Sequence, residues 1–303
     1  REPRVMIDAL RSLVDAPGVR DAALGTALLG AAAGAVGCFA VLRRQSLQGD
    51  VVSHAALPGV AAAFLLGGRS PVLLILGGAV AGWVALVVVG VVGRRSRVPT
   101  DAALGGTLAV FFGLGLALMQ LAQGVPGASA SALDRYLFGQ AANLRDPDLW
   151  LIGGAGAVAL VVLALAWKEL KLLAFDPDYA ASLGRNVRGL DLLLTTLTVV
   201  AVVIGLKAVG VVLMTALLVA PAAAARQWTN RLGVMVLLAA AFGAAAGVGG
   251  TLLAHRLGTR SAVPTGPTIV LVATGVVLAS LVLGPARGLL WELRLGRAGR
   301  GAA

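Results

Sequence analysis

Eight apolar runs, each about as long as a bilayer is thick, take up most of this chain. They lie near residues 21–42, 71–93, 100–122, 149–167, 189–206, 208–225, 232–254 and 267–284. A helix of about 20 apolar residues crosses a hydrocarbon core of about 30 Å. A ninth run, 51–67, is interrupted by Pro58 and Gly59 and is expected to be a short, broken or tilted span. Lipid offers no hydrogen-bond partner to an open sheet, and the runs lack the two-residue alternation of a barrel. The expected fold class is therefore all-α: a polytopic membrane protein with about nine transmembrane helices.

Composition closes the other routes. Only 13% of the 303 residues are charged, against about 25% in a soluble domain, too few to cover a water-soluble globule of this size. The single cysteine, Cys38, lies in an apolar run and excludes a disulfide scaffold. A net charge of +11 raises the question of a nucleic-acid partner. Yet 22 of the 25 basic residues are arginine, set in short clusters between the apolar runs. That is the distribution of loops facing an anionic leaflet, so the lipid bilayer, not nucleic acid, is the expected partner. The 41 glycines suit close helix–helix approach in lipid.

The basic residues also give a direction. Outside the two tails, eleven (Arg43, Arg44, Arg94, Arg95, Arg97, Lys168, Lys171, Arg185, Arg188, Arg226 and Arg231) fall on one side. Six (Arg69, Arg135, Arg145, Lys207, Arg256 and Arg260) fall on the other. The positive-inside rule then predicts an N-terminus outside and a cytoplasmic C-terminus. Residues 1–20 do not read as a signal peptide, because Glu2, Asp8 and Asp15 interrupt the apolar pattern. They are expected to form an amphipathic segment on the outer face, followed by one transmembrane domain over 21–285 and a basic cytoplasmic tail over 286–303.

Against so apolar a background, a few polar residues stand out. Asp50 and His54, within Gly49-Asp-Val-Val-Ser-His-Ala-Ala-Leu-Pro-Gly59, are four apart and so share one helical face. A carboxylate and an imidazole on one face make half a site for a divalent transition metal, and two copies about a twofold axis would complete it. The spacing alone equally allows an intrahelical ion pair at a cytoplasmic helix start. His255, the other histidine, is a candidate ligand at the outer entrance or a residue at the membrane interface. Lys207 reads as a snorkelling lysine at a tight hairpin.

Asp176 followed by Pro177 marks a helix start, and Gly184 a helix stop, so a short capped helix over about 176–184 is expected between two spans. It is either an ordinary capped loop or a docking helix for a soluble partner. The 124–148 connection is long, and its Ala132–Gly139 segment reads as a lid or an interfacial helix. Gly266-Pro267 marks the abrupt start of the last span. No phosphate-binding Gly-x-x-x-x-Gly-Lys-Ser/Thr, His-Glu-x-x-His or nucleophile elbow is present, so the chain carries no visible machinery for hydrolysing ATP or cleaving bonds.

Together these residues resemble the zinc/manganese permease family of ATP-binding-cassette importers. The resemblance runs in order over about 20–285. It rests on Gly49-Asp-x-x-Ser-His-x-x-x-Pro-Gly59, Tyr136-Leu-Phe-Gly139, Asp176-Pro-Asp-Tyr-Ala180 with Gly184, Val209–Leu213 through Pro221, and Pro264–Val270. It implies a non-enzymatic permease subunit of a bacterial cytoplasmic-membrane importer, working by alternating access. Its expected partners are cytosolic ATPase subunits holding the ATP, a second or homologous permease copy, and an extracytoplasmic metal-binding protein. No permanently bound cofactor is expected; the cargo is a divalent ion, Mn²⁺ favoured over Zn²⁺ or Fe²⁺. Asp50 and His54 are the implied metal ligands. Asp176, Pro177, Asp178, Ala180 and Gly184 form the implied coupling helix, with Asp178 where relatives often carry glutamate. Pro58, Gly59, Pro221 and Gly266 are the candidate structural or gating positions. The alternatives are an iron-chelate or cobalamin permease of similar architecture and an ion-gradient-driven carrier without an ATPase.

Overall fold

The computed structural model describes residues 17–67, 70–124, 144, 146–258 and 263–289. Every regular element among the described residues is a helix: α1 Pro17–Leu42, α2 Gln48–Gly67, α3 Pro71–Arg95, α4 Thr100–Gln123, α5 Asp146–Leu165, α6 Trp167–Phe175, α7 Pro177–Ser182, α8 Val187–Val209, α9 Val211–Trp228, α10 Leu232–Gly258 and α11 Thr265–Leu283. Eight of them (α1 to α5, α8, α10 and α11) are long and apolar enough to cross a membrane. The remaining run read as a span, 208–225, is α9, an 18-residue helix with Pro221 inside it, about 27 Å long at 1.5 Å per residue. Most of residues 1–20, the Ala132–Gly139 segment and most of the basic tail lie outside the described residues.

Small residues bring the helices together where lipid removes the hydrophobic drive. α1 is the central post, packed on α5, α8, α9 and α10. It runs antiparallel to α10: Gly30 meets Gly243 backbone to backbone, and Gly34 meets Ala239. Further along the same contact, Thr26 Oγ1 lies 3.2 Å from Thr251 Oγ1. Buried Phe39, Met235, Leu217 and Leu218 fill the space around these contacts.

One end of the bundle carries the arginines. Arg43 Nη1 lies 2.7 Å from Asp191 Oδ1, and Arg94 Nη1 is 3.7 Å from Asp191 Oδ2. One carboxylate thus joins the ends of α1 and α3 to the second turn of α8. α1 closes there in a Schellman turn, Gln45 N–H donating to Ala40 C=O at 2.9 Å and Arg44 N–H to Val41 C=O at 3.2 Å. Arg44 takes the left-handed position at φ 56° that glycine usually fills.

Two short helices lie between the spans α5 and α8. α6 continues from α5 after a break at Ala166, and its buried Leu170 and Leu173 hold it against the bundle. α7 then starts and stops where its capping residues predict. Asp176 accepts the Tyr179 N–H at 2.9 Å and Pro177 opens the first turn. Gly184, at φ 72°, closes the helix with Arg185 N–H donating to Ala180 C=O. The expected hairpin at Lys207 falls on a single residue. Lys207 belongs to the last turn of α8, and the reversal is made by Gly210 at φ 91°, which caps both α8 and α9. Met214 of α9 folds back onto Gly205 of α8.

Candidate functional site

Of the readings short, broken or tilted for this span, the break does not occur: α2 is one unbroken helix of 20 residues with Pro58 inside it. Pro58 removes the bond its own N–H would have made to the His54 carbonyl and crowds that carbonyl with its ring, yet the helix continues to Gly67. α3 and α4 enclose this turn. A Cβ at Gly115 of α4 would stand 2.9 Å from Leu57 Cβ and 2.9 Å from Pro58 Cδ, and Gly59 meets Gly77 of α3.

The depth of Asp50 and His54 follows from that packing. Gly82 of α3 packs on Val52 and precedes Arg94 by twelve positions, about 18 Å of helix. At the level of His54, the ring of Phe112, midway along α4, packs edge-on with centroids 4.9 Å apart. His54 therefore lies near the middle of the bundle's height, and Asp50 one helical turn nearer the arginine-bearing end.

Both side chains are half-buried. Asp50 Oδ1 accepts a 2.6 Å hydrogen bond from Thr215 Oγ1 of α9. His54 Nδ1 is buried and makes no hydrogen bond, to Asp50 or to any other described group, and Ser53 Oγ beside it is likewise buried and unpartnered. A buried nitrogen with an idle lone pair or proton is costly unless something binds it. This donor set, one carboxylate and one imidazole a helical turn apart, suits a borderline divalent cation. Among the described residues no group of three or more His, Cys, Asp and Glu is placed to hold a metal.

The other predicted site residues fall elsewhere. His255 is exposed in the last turn of α10, a helix packed on α1, α9 and α11, and the structure does not bring it to the pair. Asp176, Pro177, Asp178, Ala180 and Gly184 all lie in or beside α7, with Ala180 buried and Tyr179 and Leu183 exposed. Pro221 stands against Gly34 of α1, and Gly266 is buried in the first turn of α11. Sequence reasoning missed Thr215 and Phe112, which lie far along the chain from Asp50 and carry no spacing signal. Asp191, the anchor of the arginine cluster, was likewise hidden in a span.

The sequence profile of the ABC 3 transport family matches residues 16–284. The zinc transport system membrane protein TroC of Treponema pallidum (strain Nichols) is 48% identical over 276 residues, 91% of this chain and 92% of that one. The manganese transport system membrane protein MntC of Bacillus subtilis (strain 168) is 43% identical over 285 residues, 94% of this chain and 65% of the relative. Among solved structures, PsaBC from Streptococcus pneumoniae in complex with Fab superposes with a TM-score of 0.81 at 32% identity, covering 95% of this chain and 99% of that one.

Proposed function

We propose, because this chain belongs to the ABC 3 transport family, that it is the membrane-spanning subunit of an ATP-driven importer of divalent transition-metal ions. It is a transport component and not an enzyme, multi-pass in a bacterial plasma membrane. Relatives named for zinc and for manganese transport support the cargo class. A carboxylate–imidazole pair without thiolate favours Mn²⁺ within it. The observation that carries the reading is the position of the pair: Asp50 and an unpartnered His54 Nδ1 at mid-height of the bundle. Ionisable groups at that depth are expensive and belong to ion pathways.

In this reading Asp50 and His54 take the ion as it leaves an extracytoplasmic binding protein, and the equivalent pair of a second permease copy completes the shell. The incoming oxygen and nitrogen offset part of the ion's dehydration cost, and two ligands from each copy hold it transiently. Exposed Tyr179 and Leu183 on α7, with Phe175 just before it, support docking of a cytosolic ATPase on this helix. ATP closure there would move α7, and through α8 the bundle, toward an inward-open state. The arginine-bearing end is then cytoplasmic, the N-terminus outside and the C-terminus inside. Residues 21–285 form the permease domain between an outer segment, 1–20, and a basic tail, 286–303. Pro58, Gly59, Pro221 and Gly266 mark the helix contacts that would shift during gating, and His255 would lie at the outer entrance.

The test is radiolabelled Mn²⁺ and Zn²⁺ uptake by the assembled transporter in proteoliposomes. Asp50→Ala and His54→Ala are each expected to abolish ATP-dependent uptake while the complex still assembles on a sizing column. Full uptake by both variants would sink the site assignment.

A further inference from the structure

We propose that Thr215 is a positioning residue of this site, its hydroxyl fixing the Asp50 carboxylate for the cation; the inference rests on the metal reading of the Asp50–His54 pair. A threonine inside a helix ordinarily returns its hydroxyl proton to the carbonyl four residues back. Thr26, Thr196, Thr198, Thr251 and Thr268 all do so here, donating to the carbonyls of Ala22, Leu192, Leu194, Gly247 and Pro264 at 2.8–3.0 Å. Thr215 departs from that habit. Its one proton goes across the helix interface to Asp50 Oδ1, at 2.6 Å, the short end of the range for an O–H···O bond and typical of an ionised acceptor.

The backbone is built to allow the contact. Gly49, the residue before Asp50, is buried against α9. A Cβ there would lie 3.0 Å from Leu218 Cδ2 and 3.3 Å from Thr215 Cγ2. α2 and α9 thus approach closely at the turn that carries both Asp50 and Thr215. Thr215 itself sits in the second turn of α9, close to the Gly210 reversal. The hydroxyl occupies one carboxylate oxygen and limits the rotamers of Asp50. His54 Nδ1 has no hydrogen-bond partner among the described residues. One ligand is therefore held in place and the other left open, an arrangement that lowers the ordering cost of binding an ion. It also ties the ligand to α9, so a shift of α9 against α2 alters how the carboxylate is presented.

Partners that orient metal ligands typically contribute about 10–100-fold in affinity when removed. The experiment is a Mn²⁺ titration of the purified full-length permease, followed by electron paramagnetic resonance of free and bound Mn²⁺, on Thr215→Val, Thr215→Ala, Thr215→Ser and Asp50→Ala. Valine keeps the shape of threonine and removes the hydroxyl; alanine is the second hydroxyl-free variant should valine not fold. The hydroxyl-free variant is expected to bind Mn²⁺ about tenfold more weakly with an altered bound-ion spectrum, and serine to restore both. A purely structural role for Thr215 would lower thermal stability without that spectral change and without rescue by serine. Wild-type Mn²⁺ binding by the folded hydroxyl-free variant, with binding lost in Asp50→Ala, would overturn the role of Thr215 and leave the site standing. Undiminished binding in Asp50→Ala would overturn both.

Discussion

Gly115→Ala adds one methyl group to α4, and the structure places that methyl against atoms that cannot turn away. The new Cβ would lie 2.9 Å from Leu57 Cβ, 2.9 Å from Pro58 Cδ and 3.2 Å from Pro58 N. Ordinary carbon–carbon contacts sit at about 3.5–4.0 Å, so α4 must retreat from α2 by about 0.6–1 Å. A flexible side-chain tip would yield to such a contact. A Cβ and a proline ring are fixed to the backbone, so the helix as a whole has to move. Overpacking of this kind costs about 1–3 kcal/mol. The retreat starts one helical turn from Phe112 and carries its ring away from His54, now 4.9 Å distant between centroids. Gly113→Ala is the matched control on the same helix, since a Cβ there meets nothing within 4 Å. Replacing a helical glycine by alanine favours the helix by about 0.5–1 kcal/mol in both variants, so the difference between them isolates the contact. The assay is thermal unfolding of the purified protein in detergent, alongside metal uptake in proteoliposomes. Gly113→Ala is expected to melt at or slightly above the wild-type temperature and to transport normally. Gly115→Ala should melt lower and transport more slowly. Equal melting temperatures and equal uptake for the two would refute the close α2–α4 contact and the coupling of Phe112 to the site.

Two further outcomes follow from the arginine-bearing end. Asp176→Ala removes the acceptor for the Tyr179 N–H and should cost α7 about 1 kcal/mol. Pull-down of the partner ATPase should fall with it, and undiminished co-purification would argue against α7 as the docking helix. Asp191→Asn leaves Arg43 and Arg94 without their shared carboxylate. Because the pair is partly solvated, the loss is expected to be about 1 kcal/mol or less and to shrink when salt is raised. A melting temperature unchanged at low salt would show that the cluster contributes nothing.

The legible part of this chain is what local chemistry controls. Apolar run length and the lack of charge dictate an all-helical membrane bundle, because lipid leaves the backbone no other way to satisfy its hydrogen bonds. Asp176, Pro177 and Gly184 announce α7 because a cap is a contact between neighbours in sequence. The four-residue spacing of Asp50 and His54 puts them on one face of whatever helix contains them. Where Pro58 falls inside α2, the sequence suggested a break. The helix stays whole because α3 and α4 pack tightly on both sides of that turn, at Gly77 and Gly115.

Depth, partners and occupancy are of a different kind. No run of residues announces that His54 lies near mid-height of the bundle; that follows from the pairing of Val52 with Gly82 and of His54 with Phe112. Nor can spacing show that Thr215, 165 residues from Asp50, gives its proton to that carboxylate. The sequence alone determined that a carboxylate and an imidazole share one face of an apolar helix, Asp50 and His54, in a chain built to span a membrane. Tertiary structure decided that Asp50 is held by Thr215 and that His54 Nδ1 has no hydrogen-bond partner among the described residues, since a hydrogen bond between distant segments depends on packing distances of a few tenths of an ångström that no local pattern encodes.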